Sequence, residues 1–187
     1  MDPIHVQHVK KTTASILSSV QAFQRGTFTL SSGQTSDTYV NCRRATLDGT
    51  TLHQLTRLLS NLIEEKAAPV PLYIGGPTSA ADPIVTSLIS VYRAKGYFVR
   101  KEAKAHGTKD QIEGHPPEGA DTIIVDDVAT SGASLKLVID ALTPIKAKVK
   151  AAFVIVDREE GARSLLNSLG VPLYSLITLT DLKRILP

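Results

Sequence analysis

Residues 122–134 read Thr-Ile-Ile-Val-Asp-Asp-Val-Ala-Thr-Ser-Gly-Ala-Ser, and no other stretch of the chain narrows the possible folds as far. Thr122 to Val125 is an apolar, β-branched run of the kind that forms a strand covered on both faces, as strands of parallel sheets are. Parallel sheets take their ligands at the carboxyl ends of the strands, which is where Asp126 and Asp127 fall. After Val128 and Ala129, the residues Thr130, Ser131, Gly132, Ala133 and Ser134 offer backbone N–H groups and hydroxyls without bulky side chains. Leu135, Val138, Ile139 and Leu142 then give the i, i+3, i+4, i+7 stripe of a helix that Pro144 ends. Free N–H groups at such a helix start favour a dianionic phosphate. The two carboxylates lie too close to that anion to be its ligands, so they suit what is neutral or positive on the same molecule: sugar hydroxyls, or a Mg2+ bridging them. The same residues also suit an Asp-rich turn whose hydroxyls merely cap a helix.

The rest of the chain repeats the strand-then-helix pattern. A first helix is expected over about 3–24, with Ile16, Leu17, Val20 and Phe23 on one face, followed by a hairpin. Asp48 is placed to cap a long helix with the stripe Leu52, Leu55, Leu59, Leu62 and Ile63. Strands are expected near 71–75, 97–100, 122–126, 150–156 and 172–177, and helices near 82–95, 134–143 and 160–169. Alternation of this kind predicts an α/β fold, a parallel sheet flanked by helices. A chain of 187 residues with 42% hydrophobic content suits one domain with a core of normal size.

Charge is concentrated in one place. Arg93 to Lys109 holds six Lys or Arg against the single Glu102, with little apolar material and with Gly96 and Gly107 inside it. It reads as a mobile basic lid, although a solvated charge run has the same composition. Lysines and arginines that close over an anionic leaving group would stabilise the charge it develops and exclude water. His106, with an ordinary pKa of about 6.5, suits a proton or hydrogen bond to that leaving group.

The 122–134 pattern resembles the phosphoribosyl pyrophosphate (PRPP) motif of type I phosphoribosyltransferases, and Phe98-Val99-Arg100-Lys101-Glu102-Ala103-Lys104-Ala105-His106-Gly107 resembles the catalytic loop of the orotate phosphoribosyltransferases among them. Phe28 to Gly33 with Ser36 to Asn41 resembles their base-covering hairpin, and Arg43-Arg44-Ala45-Thr46-Leu47 continues it in the pattern of actinobacterial-type members. Gly75 to Pro83 resembles the loop that receives pyrophosphate, and Asp157-Arg158 stands where the family has an arginine for the orotate carboxylate. An arginine can meet a carboxylate with two parallel hydrogen bonds, which a base lacking that group could not use.

The resemblance implies a type I phosphoribosyltransferase fold with a small hood, from about 1–45 and the C-terminal segment, over a core of about 46–170. It implies transfer of a ribosyl 5-phosphate group from PRPP to orotate in pyrimidine synthesis. The implied PRPP site is Arg100, Lys101, Lys104, His106, Asp126, Asp127, Val128, Ala129, Thr130, Ser131, Gly132, Ala133 and Ser134; the implied catalytic groups are Arg100, Lys104, His106 and Asp127; the implied orotate contacts are Thr130 and Arg158. Mg2+ is the implied cofactor, held mainly by PRPP, with Asp126 or Asp127 as the side chains placed to assist. A homodimer with each lid closing on its neighbour's site is also implied. In two places the chain departs from the widespread bacterial pattern: Ser31 stands where many members have lysine, and the 76–83 loop lacks Tyr-Lys-Gly. Both changes remove a phosphate-binding cation, leaving more to Arg100, Lys101 and Lys104.

Other classes find less support. The net charge of +3 is modest and does not imply nucleic-acid binding, and no apolar stretch reaches the length of a membrane span. One cysteine, Cys42, cannot form an internal disulfide and suits a cytoplasmic setting; its neighbours Arg43 and Arg44 would favour a reactive thiolate, but no base is in sight and a packed residue is the simpler reading. His5 and His8 do not form a zinc-binding spacing. Two rival functions are a phosphoribosyltransferase for another base, with Arg158 incidental, and a non-catalytic PRPP-sensing regulator.

Overall fold

A computed structural model describes residues 3–29, 35–102 and 111–186. Helix α1 (Pro3–Ser19) leads into an antiparallel pair, β1 (Phe23–Thr29) and β2 (Thr35–Val40), in which Phe23 faces Val40. The helix stops short of the expected 24. Gln21 turns left-handed at φ 54°, and the Ala22 N–H closes back on the Leu17 carbonyl at 2.7 Å, a helix-ending bond that frees Phe23 for the strand. A single-turn helix, α2 (Arg43–Thr46), follows, and then α3 (Gly49–Ala67), whose cap is the expected Asp48 accepting from the Thr51 N–H at 2.9 Å. Such a cap satisfies one of the N–H groups left free at the helix start.

The remaining elements are β3 (Tyr73–Pro77), α4 (Asp82–Tyr92), β4 (Lys95–Val99), β5 (Ile112–Glu113), β6 (Asp121–Ala129), α5 (Ala133–Leu142), β7 (Lys148–Asp157), α6 (Ala162–Ser168), β8 (Leu173–Thr178) and α7 (Leu179–Ile185). Their sheet has the order β5-β4-β3-β6-β7-β8, parallel except for β5, which runs antiparallel beside β4. The expected all-parallel sheet is therefore mainly parallel, with a two-residue antiparallel edge too short to carry a periodic signal.

Side chains of β6 alternate between two cores. Ile123 and Val125 join Leu55, Leu59, Ile63, Ile84 and Leu88 of α3 and α4, whereas Ile124 joins Leu135, Val138 and Leu166 of α5 and α6. Period-two alternation with both faces covered is the pattern that the apolar run implied. Tyr97, fully buried, hydrogen-bonds Thr122 Oγ1 at 2.9 Å, and Thr122 reaches the Tyr73 carbonyl at 3.0 Å, so one polar chain ties β4, β6 and β3 together inside the sheet.

The crossover from β3 leaves toward β4 and that from β6 leaves toward β7, so the strand order switches between β3 and β6. A crevice opens at the carboxyl ends of such strands. The hood pair is tied to the C-terminal segment: Arg25 donates to the Lys183 and Leu186 carbonyls at 2.7 and 2.9 Å, and Lys183 pairs with Asp37 at 2.7 Å. Lys10 of α1 meets Asp181 of α7 at 2.7 Å. No helix among the described residues is long and apolar enough to cross a membrane.

Candidate active site

Asp126 and Asp127 lie beside the switch point, in the carboxyl half of β6. Asp126 is 5% exposed; one of its oxygens accepts from the Asp127 N–H at 2.9 Å, and an oxygen of Asp127 accepts from the Val128 N–H at 2.7 Å. Burial, and then the charge of Asp127, push the Asp126 carboxyl well above the usual carboxylate range. Burial raises Asp127 as well, with the Val128 N–H, Asp126 and the Arg43 guanidinium acting in the opposite direction. A pair that resists double ionisation favours hydroxyl donors or a cation as company.

Thr130 to Ser134 form a concave turn leading directly into α5, shared with Asp126, Val128 and Ala129. Gly132, at φ 85°, caps the helix, and a Cβ there would stand 3.0 Å from the Ala162 Cα, so glycine is required on both counts. The Thr130 carbonyl takes the Ala162 N–H and the Ala129 carbonyl takes the Arg158 N–H, at 3.1 and 2.9 Å, which brings the Thr130–Ser134 turn and Arg158 to adjacent strand ends. Arg158 is buried, with Nε and Nη2 each 2.8 Å from Glu160 Oε1.

The basic segment is described only at its stems. The Arg100 N–H donates to the Gln111 carbonyl at 3.0 Å, and the Arg100 guanidinium holds Glu113 through Nε and Nη2 at 3.2 and 2.6 Å. Lys101 is exposed at the start of the segment, while Lys104 and His106 lie outside the described residues, as does Ser31.

Two polar residues that the sequence reading did not single out as site residues also lie near the acid pair. Arg43 extends from α2 and donates from Nη2 to Ser79 Oγ at 2.7 Å, in the turn after β3. Asp82 opens α4 at the end of that turn, and its Oδ1 is buried with no hydrogen-bond partner among the described residues. Burial raises the Asp82 carboxyl, opposed by the charges of Arg43 and Arg100. The signal for Arg43 lay in a deficit: a pyrophosphate loop without a Lys or Arg of its own invites a search for a basic residue delivered by another element. Cys42 is fully buried, and burial together with the Asp127 and Asp126 charges pushes its thiol up, in keeping with a packed residue.

Residues 48–167 match the phosphoribosyl transferase domain. Over 177 residues, 95% of this chain and 96% of the relative, the sequence is 35% identical to the orotate phosphoribosyltransferase of Methanothermobacter thermautotrophicus. The chain belongs to the orotate phosphoribosyltransferase family. Another orotate phosphoribosyltransferase, from Thermosynechococcus vestitus, is 37% identical over 88% of both chains. Among solved structures, the orotate phosphoribosyltransferase of Aeropyrum pernix superposes with a TM-score of 0.79 at 32% identity, covering 92% of this chain and 98% of that one. The Mycobacterium tuberculosis H37Rv orotate phosphoribosyltransferase in complex with PRPP gives a TM-score of 0.73 at 27% identity, covering 94% of this chain and 99% of that one.

Proposed function

We infer that the reaction of this orotate phosphoribosyltransferase, transfer of the ribosyl 5-phosphate group from PRPP to orotate to give orotidine 5'-monophosphate and pyrophosphate in pyrimidine biosynthesis, takes place at the carboxyl ends of β3, β6 and β7. The observation that carries the placement is the continuity of the acid pair with the Thr130–Ser134 turn, beside Arg158 on the next strand. Asp126 and Asp127 accept hydrogen bonds from the ribose hydroxyls. The 130–134 turn takes the 5'-phosphate on its N–H groups. Arg158, steadied by Glu160, and Thr130 receive orotate, the guanidinium facing the base's carboxylate. Displacement at the anomeric carbon through an oxocarbenium-like transition state places growing negative charge on the pyrophosphate side, where Arg100, Lys101, Lys104 and His106 act.

Asp126 and Asp127 supply the hard oxygen donors that Mg2+ takes, but the described residues contain no cluster of three acidic, His or Cys side chains able to cage a metal. Such a donor set fits an ion that arrives with its substrate's phosphates and needs one or two carboxylates at most. When bound, Mg2+ neutralises phosphate charge and improves pyrophosphate as a leaving group. The working form is a homodimer whose lids close on the neighbouring site, and its setting is the cytoplasm, which suits a chain with one free, buried cysteine.

The test is orotate consumption, followed by ultraviolet absorbance with PRPP and Mg2+ and then with each omitted in turn. Loss of absorbance that needs all three components is the expected result. Tight PRPP binding without orotate turnover would overturn the reading.

A further inference from the structure

The turn between β3 and α4, Gly75 to Pro83, contains no Lys or Arg. A pyrophosphate group carries several negative charges, and backbone N–H groups alone leave most of that charge uncompensated. A cation held against the turn comes from another part of the chain. Arg43, the first residue of α2, donates from Nη2 to Ser79 Oγ at 2.7 Å, and Ser79 is its one hydrogen-bond partner among the described residues. Among the described residues its other guanidinium N–H groups have no hydrogen-bond partner, and the residue is exposed.

The mounting is firm. Cys42, Ala45 and Thr46, on either side of Arg43, are buried, so α2 is fixed to the core while Arg43 projects from it. Arg44, the adjacent residue, points elsewhere, with Nη1 3.2 Å from Gln21 Oε1 and 3.4 Å from the Gln21 carbonyl. Arg43 also lies near enough to Asp127 and Asp82 for its charge to hold both carboxyls down against burial. It therefore stands between the acid pair that faces the ribose and the turn that faces the leaving group. Asp82, with a buried Oδ1 that lacks a partner among the described residues, is a counter-charge that disfavours withdrawal of the guanidinium from this position.

We propose that Arg43 is a further pyrophosphate-binding cation of this site, beside those of the basic segment, delivered by α2 to a turn that has none of its own. The proposal rests on the PRPP reading of the crevice and adds to it a residue that receives the two terminal phosphates. A guanidinium suits this place better than an ammonium, since it can keep Ser79 with one edge and meet phosphate oxygens with the other.

The experiment is calorimetric titration of the full-length protein with inorganic pyrophosphate and Mg2+, for wild type, Arg43→Ala, Arg43→Lys and Arg44→Ala, together with steady-state kinetics and melting curves. Arg43→Ala is expected to weaken pyrophosphate binding and to raise the KM for PRPP, each by about tenfold or more, while the KM for orotate stays within about twofold. Arg43→Lys should recover part of the loss, and Arg44→Ala should bind as wild type does. A purely structural role for Arg43 would lower the melting temperature and raise both KM values together, which would overturn the proposal. Unchanged pyrophosphate binding in Arg43→Ala, with a wild type that turns over orotate, would refute the assignment of Arg43 alone. A wild type that binds neither pyrophosphate nor PRPP would remove the proposal along with the reading beneath it.

Discussion

Gly76 lies under the carbonyl of Val125 so closely that a Cβ on Gly76 would stand 2.3 Å from that oxygen. The contact joins the end of β3, which leads into the pyrophosphate turn, to the residue just before the acid pair. Gly76→Ala must therefore separate the two strands that define the crevice. The expected cost is about 1–3 kcal/mol, a fall in melting temperature of about 3–10 °C, with a larger proportional loss of PRPP affinity than of orotate affinity. Calorimetry and KM values decide the matter, and a variant that melts and binds PRPP like wild type would contradict the contact.

Arg158 is expected to govern the base. Its replacement by alanine leaves an orotate carboxylate without its charged partner, a loss of about 1.5–3 kcal/mol or roughly 10- to 100-fold in the KM for orotate. The KM for PRPP should move little, because the phosphate turn contacts Arg158 through the backbone of Ala129 rather than through its guanidinium. Equal increases in both KM values would place Arg158 in the scaffold instead.

Stability should depend on pH through Asp126, whose carboxyl is held well above its ordinary range by burial and by Asp127. At pH values below about 4 the group is protonated both folded and unfolded, and it contributes no difference. As pH rises, the unfolded chain releases the proton while the folded chain retains it, so native stability declines until pH passes the folded value. Asp126→Asn has no such loss, and its amide oxygen still accepts from the Asp127 N–H. At pH 7 the variant should melt above wild type without substrate. The gap should close as pH falls toward the unfolded value. Identical melting curves at both pH values would mean that Asp126 ionises in the folded state at no cost.

Lid sharing predicts complementation between two inactive variants. Asp127→Asn damages the site of its own subunit, and Lys104→Ala damages the lid. If the lid serves the neighbour, a mixed dimer contains one site with an intact acid pair and an intact lid. Random mixing should then restore about a quarter of wild-type activity, from half the dimers with one working site each. Activity that stays at the level of the parent variants after subunit exchange would confine each lid to its own subunit.

Much of this architecture was legible because it follows from periodicity. The strand that carries Asp126, the stripe on α5 and the Asp48 cap each depend on residues next to one another in the chain, and each is found, although β6 runs on past the expected 126 to Ala129. Features set by tertiary placement were not legible. Arg43 reads as a residue beside a hairpin, and only the folding of α2 against the core brings it to Ser79, 36 positions away. The left-handed Gln21 that ends α1 early carries no glycine to announce it, and β5 takes its conformation from β4 rather than from its own two residues. Helix α7 was missed because its cap, Thr178, doubles as the last residue of β8.

The clamp from Arg25 to the Lys183 and Leu186 carbonyls, with Lys183 on Asp37, joins the first hairpin of the chain to its last turn. During synthesis the hairpin leaves the ribosome early, yet the groups that anchor it are translated more than a hundred residues later. The substrate crevice, built from β3 to β7, has all its strands available before that moment. A nascent chain is thus in a position to assemble the crevice first and to fasten its roof only once α7 has emerged, so that vectorial synthesis itself sets the order in which the site becomes covered.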